Sequence, residues 1–163
     1  MRMKLLSLFA VALLVAACET TPQTTAGAGG SGAAAAPAAP RTGPVPGSQQ
    51  DLVVNVGDRV FFDFDKSDLK PEARRTLERQ AAWLKQYGNV AVTLEGHCDE
   101  RGTREYNLAL GERRANAARG YLVSLGIPAQ RIRTVSYGKE RPAVLGSNEA
   151  AWSQNRRSVT VVN

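Results

Sequence analysis

The chain has 163 residues, of which 43% are hydrophobic and 6% aromatic, and this composition fits one small globular domain with additional segments. The formal net charge is +6, and subtracting Arg2 and Lys4, which lie in a segment expected to be removed, leaves +4. A positive excess this small, with both signs interspersed, argues against a nucleic-acid-binding protein.

The first segment of the chain is a targeting signal. Two positive residues precede a run over residues 5–15 that is apolar apart from one serine, and this run is too short to span a bilayer well, since about 20 apolar residues are needed. Two alanines and then Cys18 follow, an order that resembles the bacterial lipobox. The resemblance implies a signal peptide over residues 1–17 and lipidation of Cys18 on its sulfur and its new N-terminus. A simple secretory signal with an incidental cysteine is the alternative.

The residue after Cys18 bears on the destination of the protein. It is Glu19, whereas an aspartate at this position favours retention in the inner membrane of enterobacteria. The lipobox resemblance therefore implies a lipid-anchored protein of the cell outer membrane, with its folded domain in the periplasm. Several acyl chains on one cysteine give firm anchoring, whereas a single chain gives marginal membrane binding.

Residues 18–50 are predicted to form a lipidated cysteine and a disordered tether. The segment is rich in Ala, Gly, Pro and Thr and has almost no large apolar residue, so it cannot bury enough surface to offset its conformational entropy. Roughly 30 residues reach about 100 Å when extended and about 30 Å as a flexible coil. With Cys18 lipidated, Cys98 has no partner for a disulfide, so the domain over residues 51–163 must be held by its core.

The first half of the domain is predicted to contain a strand, a helix and a second strand. Residues 59–62 are β-rich, and Pro71 fits the first turn of a helix, where its missing N–H has no consequence. Gly88 is expected to cap this helix at its C-terminus, and residues 90–94 alternate as in a half-buried strand. Spacings of three and four place one apolar helix face on Ala73, Leu77, Ala81 and Leu84.

The second half begins with a helix that Thr103 can cap and that runs to about Leu125, with Gly126 and Pro128 as stop signals. A strand, a short helical turn and a closing strand follow at residues 132–137, 148–152 and 158–162. The order β-α-β-α-β-(short α)-β predicts an α/β (α+β) two-layer sandwich with its helices on one face of the sheet.

Three consecutive residues, His97, Cys98 and Asp99, invite two chemical interpretations that we reject. Consecutive side chains at a strand end point in different directions, and His97 is the one histidine of the chain, which argues against a zinc site. A Cys–His nucleophile pair is disfavoured because adjacent residues rarely come within hydrogen-bond reach, and no G-x-S-x-G elbow is present. The sequence therefore predicts no enzyme, metal or cofactor, and Cys98 is interpreted as a small buried residue.

A charged pocket is the interpretation that the residue types favour. Asp99 follows a strand at the entrance to a helix, and a helical wheel centred on Leu110, Ala117 and Tyr121 places both Arg113 and Arg114 near the apolar face. An inward arginine needs a partner, and its side chain leans toward the helix N-terminus and Asp99. Such a pair suits a small zwitterion, but a structural Asp–Arg salt bridge is equally compatible, and the wheel does not choose between the arginines.

Four runs of the sequence identify a family. They are FDFDKSDL, GHCDERGTREYNLALGERRANA, VSYGKERPAV and NRRSV, and together they resemble the OmpA-like peptidoglycan-binding domain over nearly all of residues 58–163. The resemblance implies a mixed four-stranded sheet and non-covalent binding to the meso-diaminopimelate residue of the peptidoglycan stem peptide. It implies that Asp99 meets the ammonium of the ligand and that Arg114 forks onto its carboxylate. The other pocket positions of the family correspond to Phe64, Asp65, Arg101 and Leu110.

The match is closest to lipid-anchored members of the family, which implies the partners of this chain. They are peptidoglycan, outer-membrane lipid through acylated Cys18, the periplasmic propeller protein TolB and the Tol complex. The implied function is to tether the outer membrane to the cell wall in envelope integrity and cell division. A lipid-anchored wall hydrolase is the alternative from another class, and its carboxylates would come from Asp63, Asp65, Asp68, Asp99 and Glu100.

Overall fold

A four-stranded sheet organises the part of the chain that the structure, a computed structural model, describes, which is residues 43–163. The strand order is β1-β4-β2-β3, where β1 is antiparallel to β4, β4 is antiparallel to β2, and β2 is parallel to β3. The sheet is therefore mixed, as the resemblance implied. Its strands are Arg59–Phe61 (β1), Val92–His97 (β2), Ile132–Gly138 (β3) and Arg157–Val162 (β4).

Two long helices pack on one face of the sheet and enclose the hydrophobic core. They are α2, Pro71–Gln86, and α3, Arg104–Ser124, while the shorter α4, Glu149–Asn155, leads into β4. The predicted two-layer α/β fold and its element order are confirmed. Large side chains of the core come from both helices and from the sheet, and they include Val60, Leu77, Leu84, Val92, Leu94, Leu122 and Ile132.

The apolar face predicted for α2 is confirmed, because all four of its residues are buried. The predicted cap at Gly88 is wrong. The helix ends at Gln86, and Tyr87 takes the C-cap position, where its N–H donates to the carbonyl oxygen of Trp83 at 3.0 Å. The Tyr87 ring also packs edge-on against Trp83, with ring centroids 5.0 Å apart. Arg131 donates to the carbonyl oxygens of Leu84 and Tyr87 at 2.8 Å, so the helix ends without a left-handed glycine.

Helix α3 starts and stops as the sequence predicts. The hydroxyl oxygen of Thr103 accepts a hydrogen bond from the N–H of Tyr106 at 3.2 Å, which satisfies one free donor of the first turn. Leu125 forms the C-cap, and Gly126 follows with φ of 93°, a left-handed conformation that glycine adopts without strain. The start of this helix is consequently fixed beside the loop that follows β2.

Two glycines allow α3 to approach β2 closely. A Cβ atom on Gly96 would lie 1.8 Å from the carbonyl oxygen of Gly111, and a Cβ atom on Gly111 would lie 2.4 Å from Oγ of Ser136. No side chain larger than hydrogen fits at either position without a backbone shift. This contact brings the C-terminal end of β2 and the first half of α3 together, and the candidate site lies between them.

A helical segment at residues 49–56 has no counterpart in the predicted elements. It consists of the short helix α1, Gln49–Asp51, and one π turn, Leu52–Val56. The side chain of Gln49 donates to the carbonyl oxygen of Thr160 at 3.3 Å and accepts from the N–H of Val162 at 2.7 Å, so this residue is bound to β4. Within residues 43–163, no helix has the length and apolar character needed to cross a membrane.

Candidate functional site

A cavity of about 150 Å³ lies between the loop after β2, the start of α3 and the loop after β1. All six pocket residues proposed from the sequence border it, so residues from three separate stretches of chain meet at one place. The lining residues are Phe64, Asp65, Cys98, Asp99, Arg101, Gly102, Tyr106, Asn107, Leu110 and Arg114.

Asp99 is the buried carboxylate of this cavity, and arginines surround it. One carboxylate oxygen, Oδ1, accepts from the backbone N–H of Arg101 at 3.1 Å and from its Nε at 3.2 Å. The other, Oδ2, accepts from the terminal nitrogen Nη2 of Arg101 at 2.7 Å and from Nη1 of Arg156 at 3.5 Å. Burial raises the pKa of Asp99, but the hydrogen bonds from Arg101 outweigh it, so the pKa lies below the usual value and the group stays charged.

Arg114 is fully buried, and its guanidinium binds backbone carbonyl groups. Nε donates to the oxygen of Lys66 at 2.8 Å, Nη1 to that of His97 at 2.9 Å and Nη2 to that of Asp63 at 3.0 Å. Among the ion pairs of residues 43–163, none joins Arg114 to Asp99, so the structural Asp–Arg salt bridge is wrong for this arginine. Burial lowers the pKa of Arg114. These bonds use three of the five N–H groups of the guanidinium, and Arg114 is one of the residues that line the cavity.

The helical wheel placed the buried face of α3 a fraction of a turn away from the face that the structure buries. Its buried face contains Arg114 together with Leu110, Ala118 and Leu122, whereas Arg113 is exposed. The guanidinium of Arg113 lies 5.8 Å from the centre of the Tyr106 ring, outside the cavity. The structure thus shows that Arg114, and not Arg113, lines the cavity, a choice that the helical wheel could not make.

Arg101 lies between two aromatic rings. Its Cζ atom is 4.0 Å from the centre of the Phe64 ring and also 4.0 Å from that of Trp152. Trp152 was not singled out by the sequence, because nothing in its spacing links α4 to a loop 50 positions earlier. Its indole N–H donates to Oε1 of Glu100 at 3.1 Å, which ties the tryptophan to the same loop.

Asp65 brings a second carboxylate to the cavity, from the loop after β1. It has φ of 56°, the one left-handed non-glycine residue among those that the structure describes. The hydroxyl group of Tyr106 donates to Oδ1 of Asp65, and this hydrogen bond raises the pKa of the tyrosine. A strained backbone at a pocket position is a conformation that the surrounding structure has to hold in place.

Two basic residues outside the proposed set hold the walls of the cavity. Arg156 donates through Nε to the carbonyl oxygen of Phe62 at 3.1 Å, pairs with Glu149 and also reaches Asp99. Lys139 donates to the backbone oxygen of Gly102 at 2.7 Å. Apart from the Arg156–Glu149 pair these contacts are long-range, so the sequence carries no signal for them beyond the presence of Arg156 in the run NRRSV and of Lys139 in the run VSYGKERPAV.

The groups that suggested catalysis are buried and uncharged. Burial raises the pKa of the Cys98 thiol, whose sulfur lies 3.4 Å from the carbonyl oxygen of Asn107. Burial, with the charges of Arg157 and Arg141, lowers the pKa of His97 from 6.5 to about 4. Neither ring nitrogen of His97 has a hydrogen-bond partner in the described part of the chain, although Nε2 lies 3.5 Å from Oε2 of Glu95. At neutral pH the site therefore offers neither a thiolate nor an imidazolium.

The arrangement can hold a small zwitterion with an apolar middle. Carboxylates of Asp99 and Asp65 offer places for a cation, and the fork of Arg114 offers a place for a carboxylate. Phe64 and Leu110 add apolar side chains to the same lining. Small-molecule sites usually combine apolar surface with polar groups that fix the orientation of the ligand.

Comparisons with known proteins agree with this fold. A model described as the OmpA family matches residues 61–156. A peptidoglycan-associated lipoprotein of Rhizobium meliloti is 62% identical over 117 residues, which are 72% of this chain and 66% of that protein. A peptidoglycan-associated lipoprotein of Brucella melitensis is 51% identical over 153 residues, which are 94% of this chain and 88% of that protein.

Solved structures give the same result. The crystal structure of the peptidoglycan-associated lipoprotein from Burkholderia pseudomallei has a TM-score of 0.63 and 42% identity, and the match covers 65% of this chain and 90% of that one. The C-terminal domain of MotB from Helicobacter pylori has a TM-score of 0.61 with 18% identity, covering 65% of this chain and 84% of that one, and this likeness concerns the fold alone.

Proposed function

Because this chain belongs to the OmpA family, and within it to the peptidoglycan-associated lipoproteins, we propose that it binds peptidoglycan without covalent chemistry and tethers the outer membrane to the cell wall. The single observation that carries the proposal is that Asp99, Arg114 and the apolar side chains of Phe64 and Leu110 line one cavity. In this role the protein is a binding module and not an enzyme.

The ligand group that we propose is meso-diaminopimelate of the stem peptide. Its free end carries an ammonium and a carboxylate on one carbon, joined to a methylene chain. The ammonium binds Asp99, the carboxylate takes the free donors of Arg114, and the methylene chain lies against Phe64 and Leu110. Asp65 and Arg101 complete the pocket. This assignment is supported by the match between the signs of these groups and those of the ligand.

The tether follows from the rest of the chain. We propose that Cys18, which lies outside the described residues, carries the acyl chains that hold the protein in the outer membrane, and that residues 18–50 link it to the folded domain. By analogy with the lipoproteins that it resembles, the chain works with TolB and the Tol complex in the Tol-Pal system, in envelope integrity and cell division. One end of the molecule then holds lipid and the other holds the wall.

Calorimetric titration with two small ligands tests the ligand assignment. Nα-acetyl-L-lysine amide shares the side-chain ammonium and the methylene chain of meso-diaminopimelate but has no carboxylate, because its α-carboxyl group is blocked. We expect meso-diaminopimelate to bind and the blocked lysine to bind at least about tenfold more weakly, since a charge-assisted bidentate contact is lost. Equal affinity for both, or no binding of either, contradicts the assignment.

The wall hydrolase remains the alternative from another class, and one incubation separates the two. Purified peptidoglycan is incubated with the protein, and soluble muropeptides are measured in the supernatant. A binding module releases none above the level of a buffer control. Release of fragments that grows with time and protein concentration would establish the hydrolase instead.

A further inference from the structure

The carboxylate of Asp99 has its hydrogen-bonding capacity filled by the protein itself. It accepts four hydrogen bonds, three from Arg101 and one from Arg156. A carboxylate offers about four lone-pair sites, so a ligand ammonium finds none vacant. For the ammonium to bind Asp99, as proposed above, at least one of these donors has to leave.

The two arginines differ in how firmly they are held. The side chain of Arg156 is 7% exposed and is also bound to the carbonyl oxygen of Phe62 and to Glu149. The side chain of Arg101 is 32% exposed, and its guanidinium has Asp99 as its one hydrogen-bond acceptor among the described residues. Arg101 is therefore the donor that a ligand can displace.

The backbone of Arg101 stays in place when the side chain leaves. Its N–H donates to Oδ1 of Asp99, and its carbonyl oxygen accepts from Nδ2 of Asn107 at 2.8 Å. Rotation about the side-chain bonds is enough to move the guanidinium toward solvent. The movement does not require the loop to unfold, and Asp99 keeps one backbone donor throughout.

We propose that Arg101 occupies the cation position on Asp99 in the free protein, that Phe64 and Trp152 hold it there, and that the ligand ammonium binds by displacing it. This inference rests on the function proposed above. Trp152 is then a positioning residue that acts through Arg101, since it does not line the cavity.

Trp152 is suited to this role because α4 and the loop after β2 fix its ring. Its indole N–H is bound to Glu100, one residue before Arg101, and its ring lies 4.0 Å from the guanidinium. An arginine stacked on an indole face gains free energy that has to be given up when the side chain leaves. Weakening the stack therefore increases the fraction of molecules whose cation position is open, and the apparent affinity rises with that fraction.

The test uses the full chain in detergent micelles, with meso-diaminopimelate as the probe. Calorimetry gives the affinity, and tryptophan emission reports the stack, because the chain has two tryptophans and Trp83 is buried in the core, bound to Asp51. Three variants are compared with wild type. Trp152→Ala removes the stack, Trp152→Phe keeps an aromatic ring without the N–H, and Tyr137→Ala removes a matched arginine stack, that of Arg141 at 3.7 Å, outside the cavity.

We expect saturating ligand to change the emission of wild type and of Tyr137→Ala, but not that of Trp152→Phe, which retains only Trp83. Trp152→Ala binds about fivefold more tightly than wild type, whereas the other two variants bind like wild type. Displacement of Arg101 by the ligand is overturned if wild type binds with no change in emission, or if Trp152→Ala binds no more tightly than wild type. The change in emission is measured on the wild-type protein, so this part of the test does not depend on the folding of any variant. Absence of any wild-type binding overturns the proposed function itself, and the inference with it.

Discussion

The guanidinium of Arg114 donates to the backbone oxygen of Lys66, with 2.8 Å between Nε and the oxygen and 48 positions between the residues. Its other bonds reach the carbonyl groups of Asp63 and His97. One buried cation thus joins the loop after β1, the end of β2 and helix α3. We assign this guanidinium to the ligand carboxylate, but it also holds three parts of the fold together. Experiments therefore have to measure its effect on stability and its effect on binding separately.

Arg114→Ala is expected to destabilise the domain as well as to abolish binding. The substitution leaves three carbonyl oxygens without their donor, of which that of His97 is in a buried hydrogen bond, and it opens a cavity, which together cost about 3 kcal/mol or more in the free energy of unfolding. Denaturant unfolding measures this loss. Arg113→Ala, next along the helix and exposed, is the control and should stay within about 0.5 kcal/mol of wild type. Equal stability of the two variants would show that the carbonyl contacts contribute little.

Asp99→Asn is the cleaner test of the binding site. The amide has the shape of the carboxylate but no negative charge, so we expect affinity for meso-diaminopimelate to fall by a factor of about ten or more while the domain stays folded. Calorimetry and a thermal melt measure the two properties. Asp68→Asn, an exposed carboxylate of the loop after β1, serves as the control with unchanged affinity. Wild-type affinity in Asp99→Asn would remove Asp99 from the site.

Two glycines of the same helix are expected to respond oppositely to alanine. Gly111→Ala places a Cβ atom 2.4 Å from Oγ of Ser136 and 2.9 Å from the oxygen of Gly96, and the overpacking should cost about 2 kcal/mol. Gly120→Ala meets no atom within 4 Å and should stabilise the helix by about 0.5–1 kcal/mol. Melting temperatures of the two variants give the comparison. A stable Gly111→Ala protein would mean that β2 and α3 can separate without penalty.

His97 should make the folded domain sensitive to mild acid. Its pKa falls from 6.5 to about 4 on folding, so below pH 6.5 the unfolded chain binds a proton that the folded chain excludes. Stability is therefore full above about pH 6.5 and is lost as the pH falls toward 4, by about 3 kcal/mol in total. Unfolding free energies measured between pH 7 and pH 5 follow this slope, which His97→Gln should flatten. Identical slopes in both proteins would assign the loss to other groups.

The sequence predicts those parts of the fold that depend on short spacings. The apolar residues of α2 recur every three or four positions, and Thr103 and Gly126 lie where a helix has to start and stop, so these features could be derived locally. The Gly88 cap failed because Arg131, more than 40 positions away, donates to the carbonyl oxygens of Leu84 and Tyr87 at that helix end, each at 2.8 Å. Local sequence preferences for a helix end are overridden where a tertiary contact satisfies the last carbonyl groups.

The site was less accessible to sequence reasoning than the fold. The wheel brought Arg114 near the core but could not exclude Arg113, since a rotation of α3 by a fraction of a turn separates them. The roles of Trp152 and Arg156 depend on contacts across more than 50 positions, for which one sequence carries no signal. The binding of Gln49 to β4 is likewise invisible, because a polar side chain in an otherwise polar stretch has no pattern.

Co-sedimentation of residues 43–163 with purified peptidoglycan, in the presence of meso-diaminopimelate, Nα-acetyl-L-lysine amide or neither, tests wall binding at the proposed pocket. We expect that the protein sediments with the wall, that meso-diaminopimelate releases it, and that the same concentration of the blocked lysine does not. Failure of a folded domain to sediment, or sedimentation that meso-diaminopimelate leaves unchanged, would show that the pocket does not bind this residue of the wall. The cavity would then serve a protein partner, and TolB would be the first to examine.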